Sequence, residues 1–131
     1  MVLGKLLILL AINPVQAQDI TNPRFFEYRG GPVLGQIIEM SFGWFKTLDD
    51  ESKSAYNQSI VHAVMYAENG QTVNWYSPKA SGYAVPVVTW PNGSGYCRRI
   101  YIHAIAYNTE KAMYRTACFD NPSTKWRWTG E

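Results

Sequence analysis

Two cysteines, Cys97 and Cys118, are the whole thiol complement of the chain, and they bracket a stretch patterned as a β-hairpin. Residues 96–107 and 111–119 are rich in β-branched and aromatic side chains. They flank Asn108-Thr109-Glu110, a hairpin connection. With the turn centred between Tyr107 and Asn108, the register sets Cys97 opposite Cys118, Arg99 opposite Thr116 and Tyr101 opposite Tyr114. A slip of two residues still leaves the cysteines as diagonal neighbours, so a bridge needs little backbone movement. The alternative is a reactive or metal-binding thiol pair. It lacks a C-x-x-C spacing and has only His62 and His103 as imidazole ligands. A structural disulfide is the expectation, contributing about 3 kcal/mol for a loop of this size.

Such a bridge requires an oxidising compartment, and the N-terminus supplies the address. Residues 1–5 form a short n-region with one positive charge, residues 6–12 an apolar h-region, and Asn13-Pro14 a break. Val15-Gln16-Ala17 then offers a cleavage site before Gln18. The apolar run is far shorter than the about 20 residues needed to span a bilayer. Residues 1–17 therefore read as a signal peptide. No cysteine near the cut permits lipid attachment. Of the 131 residues, 114 remain after cleavage, enough for one domain with one core. Net charge falls from +2 to +1 with the loss of Lys5, which argues against nucleic acid as a partner.

Residues 18–46 read as an aromatic and glycine-containing arm. Their first half carries two prolines, a Gly-Gly pair and the aromatics Phe25, Phe26 and Tyr28. Residues 33–45 predict a short apolar helix ending in Trp44 and Phe45. Gly31, Gly35 and Gly43 lie at spacings that let helices approach closely, with Glu39 breaking the series. The arm suggests self-association or peripheral membrane contact.

Residues 47–131 form the domain. Residues 48–69 predict a helix capped by Thr47 with Asp50 at N3. Its apolar stripe is Tyr56, Ile60, Ala63, Val64 and Ala67, and Gly70 is suited to a left-handed C′ position. Asp49, Asp50 and Glu51 complement the helix dipole and are not an acid–base site. From Gln71 the chain turns to strands, with Pro86 marking an edge or bulge, a turn at Ala80–Tyr83 with Gly82, and turn signals at Pro91–Gly95 and Asp120–Ser123. Lys125–Trp128 adds a last short strand. The fold class is α+β: one amphipathic helix packed on a small antiparallel sheet of four to five strands, stapled by one disulfide, with an extended N-terminal arm.

From Leu48 onward the chain resembles the C-terminal domain of the rickettsial 17-kilodalton surface antigen family of bacterial envelope proteins. The resemblance runs through Leu48-Asp49-Asp50-Glu51, Gly70-Gln71-Thr72-Val73-Asn74-Trp75, Ser77-Pro78 with Gly82, and Pro86. It continues through Cys97-Arg98, Tyr114, Thr116-Ala117-Cys118 and Trp126, and covers residues 31–128. Family members are similar in carrying a glycine-rich zipper before this domain, and Gly31, Gly35 and Gly43 look like an eroded version. Glu39 and the missing lipidation cysteine depart from the family pattern. The resemblance implies an envelope-facing, non-enzymatic protein.

The residues carry no G-x-S-x-G elbow, H-E-x-x-H helix, phosphate loop or dinucleotide fingerprint, and they point to no catalytic residue, metal or cofactor. Two functions remain. One is a structural or docking subunit of an envelope-associated assembly, periplasmic or at the outer membrane or cell surface, bound to other envelope proteins. The other is a small periplasmic or secreted binding module, a cell-wall hydrolase inhibitor or carbohydrate binder. The second would use the aromatic β half, Trp75, Tyr76, Tyr83, Trp90, Trp126 and Trp128, whose alternative role is to fill a small core. Partner-binding candidates are thus Phe25, Phe26, Tyr28, Trp44, Phe45, Trp75, Trp90, Trp126 and Trp128. Arg98, beside Cys97, reads as a structural clamp on a buried carboxylate in preference to a surface contact. Gly70 and Pro86 are structural.

Overall fold

The computed structural model describes residues 17–20, 47–122 and 125–129. The signal-peptide residues 1–16 and the candidates Phe25, Phe26, Tyr28, Trp44 and Phe45, with the apolar helix of residues 33–45, lie outside them. The elements run β1 (Gln18–Ile20), α1 (Asp50–Met65), β2 (Val73–Tyr76), β3 (Ala80–Asn92), β4 (Gly95–Ala106), β5 (Thr109–Asp120) and β6 (Lys125–Trp128).

α1 starts later than the capping box suggests. Asp49 is the N-cap, extended at φ −73 and ψ 168, and its carboxylate accepts the Ser52 N–H at 3.1 Å. Aspartate caps at least as well as threonine, and at this site it is the residue that leaves Leu48 free to bury. Hydrogen bonding with the Ser52 side chain holds the Asp49 carboxyl below its usual value. The predicted stripe is the buried one: Tyr56, Ile60, Ala63 and Val64 on α1, with Ala67 just beyond it. Two buried serines share that face. Ser59 Oγ donates to Val73 O at 2.8 Å, and Ser52 Oγ lies 2.5 Å from Ser77 Oγ, so neither hydroxyl is stranded. α1 ends at Met65, four residues before the expected stop. Gly70 (φ +87) shapes the turn into β2, donating its N–H to Pro86 O at 2.7 Å, and does not act as a helix C′ residue.

The six strands lie in sequence order, β1-β2-β3-β4-β5-β6. β2 to β6 form the expected antiparallel meander, and α1 packs on one side of it. β1 pairs parallel with β2, so residues 18–20 of the expected arm are an edge strand. Gly82 sits inside β3 and not in a turn. A Cβ there would meet His103 O at 2.1 Å and Trp75 Nε1 at 2.7 Å, so only glycine lets the indole lie flat on the strand. Pro86 stands at a register shift between Pro86 and Val88, beyond the last β2 partner at Ala84. Its missing N–H costs no ladder bond there.

The β4–β5 hairpin turns through Tyr107 (φ 54) and Asn108 (φ 60), both left-handed, as a two-residue type I′ turn requires. Tyr107 accepts this strained conformation while its hydroxyl donates to Thr47 O at 3.0 Å, fixing the chain that leads into α1. The register is the predicted one, Cys97↔Cys118, Arg99↔Thr116 and Tyr101↔Tyr114. Cys97 and Cys118 are bonded, with their Cα atoms 4.0 Å apart.

Candidate binding face

Strand alternation divides the sheet's side chains into two sets. On β4, Arg98, Ile100, Ile102, Ala104 and Ala106 are buried, and Arg98 touches the end of α1, which places this set against the helix. Trp75 and Trp126 join it. Trp75 (1% exposed) packs edge-on to Tyr56 with ring centroids 5.9 Å apart, and Trp126 is 5% exposed. Both are core residues, which corrects their assignment as partner-binding candidates: their register positions, Trp75↔Gly82 and Trp126↔Phe119, face α1. Trp128 is half-buried and packs against the same core. Of the predicted tryptophan candidates within the described residues, Trp90 alone stands on the opposite face.

Arg98 is a clamp, but it holds no carboxylate. Its Nη1 donates to Ala63 O and Val64 O, both at 2.9 Å, and its Nη2 to Ala67 O at 2.7 Å. Nη2 also reaches Asn69 Oδ1 at 3.1 Å, and Nε reaches Thr89 Oγ1 at 2.9 Å. The last four carbonyls of a helix have no intrahelical partner and carry the negative end of its dipole. The guanidinium therefore caps α1 from the sheet. Burial lowers the Arg98 pKa, yet the carbonyl cluster suits the cation it remains.

The face away from α1 has a different chemistry. Tyr83, Tyr101 and Tyr114 run across β3, β4 and β5 with ring centroids 6.0 and 5.0 Å apart. His103 stacks on Tyr83 at 4.6 Å, and its Nε2 lies 2.5 Å from Glu110 Oε1. The Arg99 guanidinium sits 4.7 Å over the Tyr114 ring, a cation–π contact. Partial burial, then the neighbouring Tyr83 and Tyr114 hydroxyls, raises the Tyr101 pKa. Tyr76, Val88, Trp90, Ile105 and Tyr114 on this face are each at least 36% exposed. No helix among the described residues covers it.

At one end of this face a depression of about 340 Å³ opens over the disulfide, lined by Trp90, Asn92, Cys97, Arg99, Thr116, Cys118 and Thr129. Cys97, 2% exposed, is buried in its floor, and Asn92 Nδ2 donates to Cys97 Sγ at 3.2 Å. The hollow has a simple origin. Two short cysteine side chains sit side by side in a row that begins at Trp90, and the larger Arg99 rises from the next row.

Sequence reasoning missed Tyr101, Tyr114, His103 and Arg99 as a group on one face of the sheet. The signal was present. Once Cys97 and Cys118 are paired, positions 99, 101, 103, 116 and 114 share their face by alternation, and the apolar residues 100, 102, 104 and 106 take the other. Among the described residues, no three His, Cys, Asp or Glu side chains converge to hold a metal ion. No helix among them is long and apolar enough to cross a membrane. Comparison with protein-family models, with curated proteins and with solved structures finds no match to this chain.

Proposed function

We propose that this chain is an exported, non-enzymatic docking protein of a bacterial cell envelope, presenting its uncovered sheet face to a protein partner. The observation that carries the reading is the run Tyr83–Tyr101–Tyr114 with Arg99 and the exposed Tyr76, Val88 and Ile105, all on the face α1 leaves open. Tyrosine, tryptophan and arginine are the residues that interfaces enrich, and monomers seldom leave such a patch unused. The Cys97–Cys118 bond is consistent with export. The expected cleavage point also falls immediately before β1, so processing would leave the sheet whole. The likeness of residues 31–128 to the surface-antigen family supports an envelope setting.

The test is photo-crosslinking in the native envelope with a probe at position 112, on the open face opposite His103 and next to Tyr114 along β5. The expected result is one dominant crosslinked envelope protein, lost in the Tyr101→Ser/Tyr114→Ser double variant. An unchanged crosslinking pattern in that variant would refute the docking face. Protein accumulating in the cytoplasm with residues 1–17 intact, and none processed in the envelope, would refute export.

A further inference from the structure

We propose that the depression over the Cys97–Cys118 bond binds a carboxylate-bearing saccharide, with the Trp90 indole stacked on the sugar ring and the Arg99 guanidinium taking the carboxylate. The site does not depend on the docking reading, because it needs no protein partner.

Three features of the hollow select this ligand class. Trp90, 36% exposed, offers an aromatic face at the rim, a surface suited to the apolar C–H face of a pyranose. Arg99 lines the same hollow from the adjacent row of the sheet, and Tyr114 supports its guanidinium from below at 4.7 Å. A guanidinium so placed keeps its planar fork, the geometry that pairs with a carboxylate through two parallel hydrogen bonds. Asn92, with its amide oxygen and second amide hydrogen, and Thr129, with a hydroxyl oxygen that can still accept, supply groups that recognise sugar hydroxyls. The volume, about 340 Å³, lies at the small end of ligand pockets, fitting one or two rings and not a long chain.

The floor is rigid. The disulfide locks β4 to β5 directly beneath the site, and the β3–β4 ladder continues on both sides of it, from Val88↔Arg99 to Asn92↔Gly95. The backbone positions of Trp90 and Arg99 are therefore fixed relative to one another, which limits the ordering cost of binding a small ligand. A simple anion would use Arg99 without Trp90, and a neutral sugar would use Trp90 and the polar lining without Arg99. The two together specify an acidic sugar.

The experiment is a titration of the purified, oxidised protein by two-dimensional NMR, following the tryptophan indole and arginine side-chain signals. The probes are D-glucuronic acid, methyl β-D-glucopyranoside and acetate. Saturable shifts of the Trp90 and Arg99 signals with glucuronic acid, at least about tenfold tighter than with either other probe, are the expected result. Arg99→Gln should weaken glucuronic acid about tenfold or more and leave the glucopyranoside unchanged. Trp90→Phe should retain binding, and Trp90→Ala should lose it. A thermal melt of each variant verifies folding. Equal binding of the neutral sugar, equal binding of acetate, or no response at Trp90 would each overturn the proposal. None of these outcomes bears on the crosslinking test of the tyrosine face.

Discussion

Replacing Arg98 by methionine tests the link between helix and sheet most sharply. Methionine keeps the unbranched stem and removes all five donated hydrogen bonds. Ala63 O, Val64 O and Ala67 O lose the cation that caps them, and hydrogen bonds to charged groups contribute about 1.5–3 kcal/mol each. Summed over three carbonyls that is about 5–9 kcal/mol, an upper bound, because removing the guanidinium also removes its desolvation cost. A buried acceptor left without a partner costs about 1–3 kcal/mol, so three orphaned carbonyls set the expected loss at about 3 kcal/mol or more. For a domain of this size each kcal/mol lowers Tm by about 4–8 °C, so the melt should fall by at least about 12 °C. Arg98→Lys should recover part of the loss, since one ammonium cannot span all three carbonyls. The assay is urea unfolding of the oxidised protein, with Arg99→Gln as the comparison on the other face. A loss under about 1 kcal/mol at unchanged m-value would show that water caps α1 as well as Arg98 does.

Cys97→Ala/Cys118→Ala should cost about 3 kcal/mol in chemical unfolding, because the bridge closes a 21-residue separation in the unfolded chain. Gly82→Ala should destabilise by at least about 1–3 kcal/mol in the same assay, since His103 O belongs to a paired backbone and cannot move aside for a methyl group. Burial lowers the His62 pKa, so below about pH 6.5 the unfolded chain binds a proton that the folded one resists. Stability should therefore be full at pH 7 and decline as pH drops through that window toward the lowered folded-state pKa. His62→Gln should flatten this part of the profile, measured as unfolding midpoints between pH 7 and 5.

The hairpin was the most legible part of the chain. Alternation, a two-residue turn and a pair of cysteines all constrain one register, and a slip would have exchanged the buried Ile100 and Ile102 with Tyr101 and His103. The helix was legible in its stripe but not at its ends. Asp49 and Thr47 are both good caps, and sequence does not say which one the tertiary packing of Leu48 favours. Arg98 was recognisable as a buried cation, yet its partners are backbone carbonyls, which every residue carries and no pattern marks. Gly82 looked like a turn because its reason for being glycine is the Trp75 indole on the neighbouring strand. The candidate site was half visible: Trp90 was identified, but the tyrosines and Arg99 became a group only when the face of Cys97 was known.

The Arg98 cap also imposes an order of events. A chain is made and exported N-terminus first, so the residues of α1 emerge well before Arg98, which follows its capped carbonyls by 31 to 35 residues. A helix of 16 residues is marginal alone, and this one must wait with its last carbonyls open to water. Any factor that binds the nascent segment before β4 arrives meets a frayed helix end, and the arrival of β4 closes that opportunity.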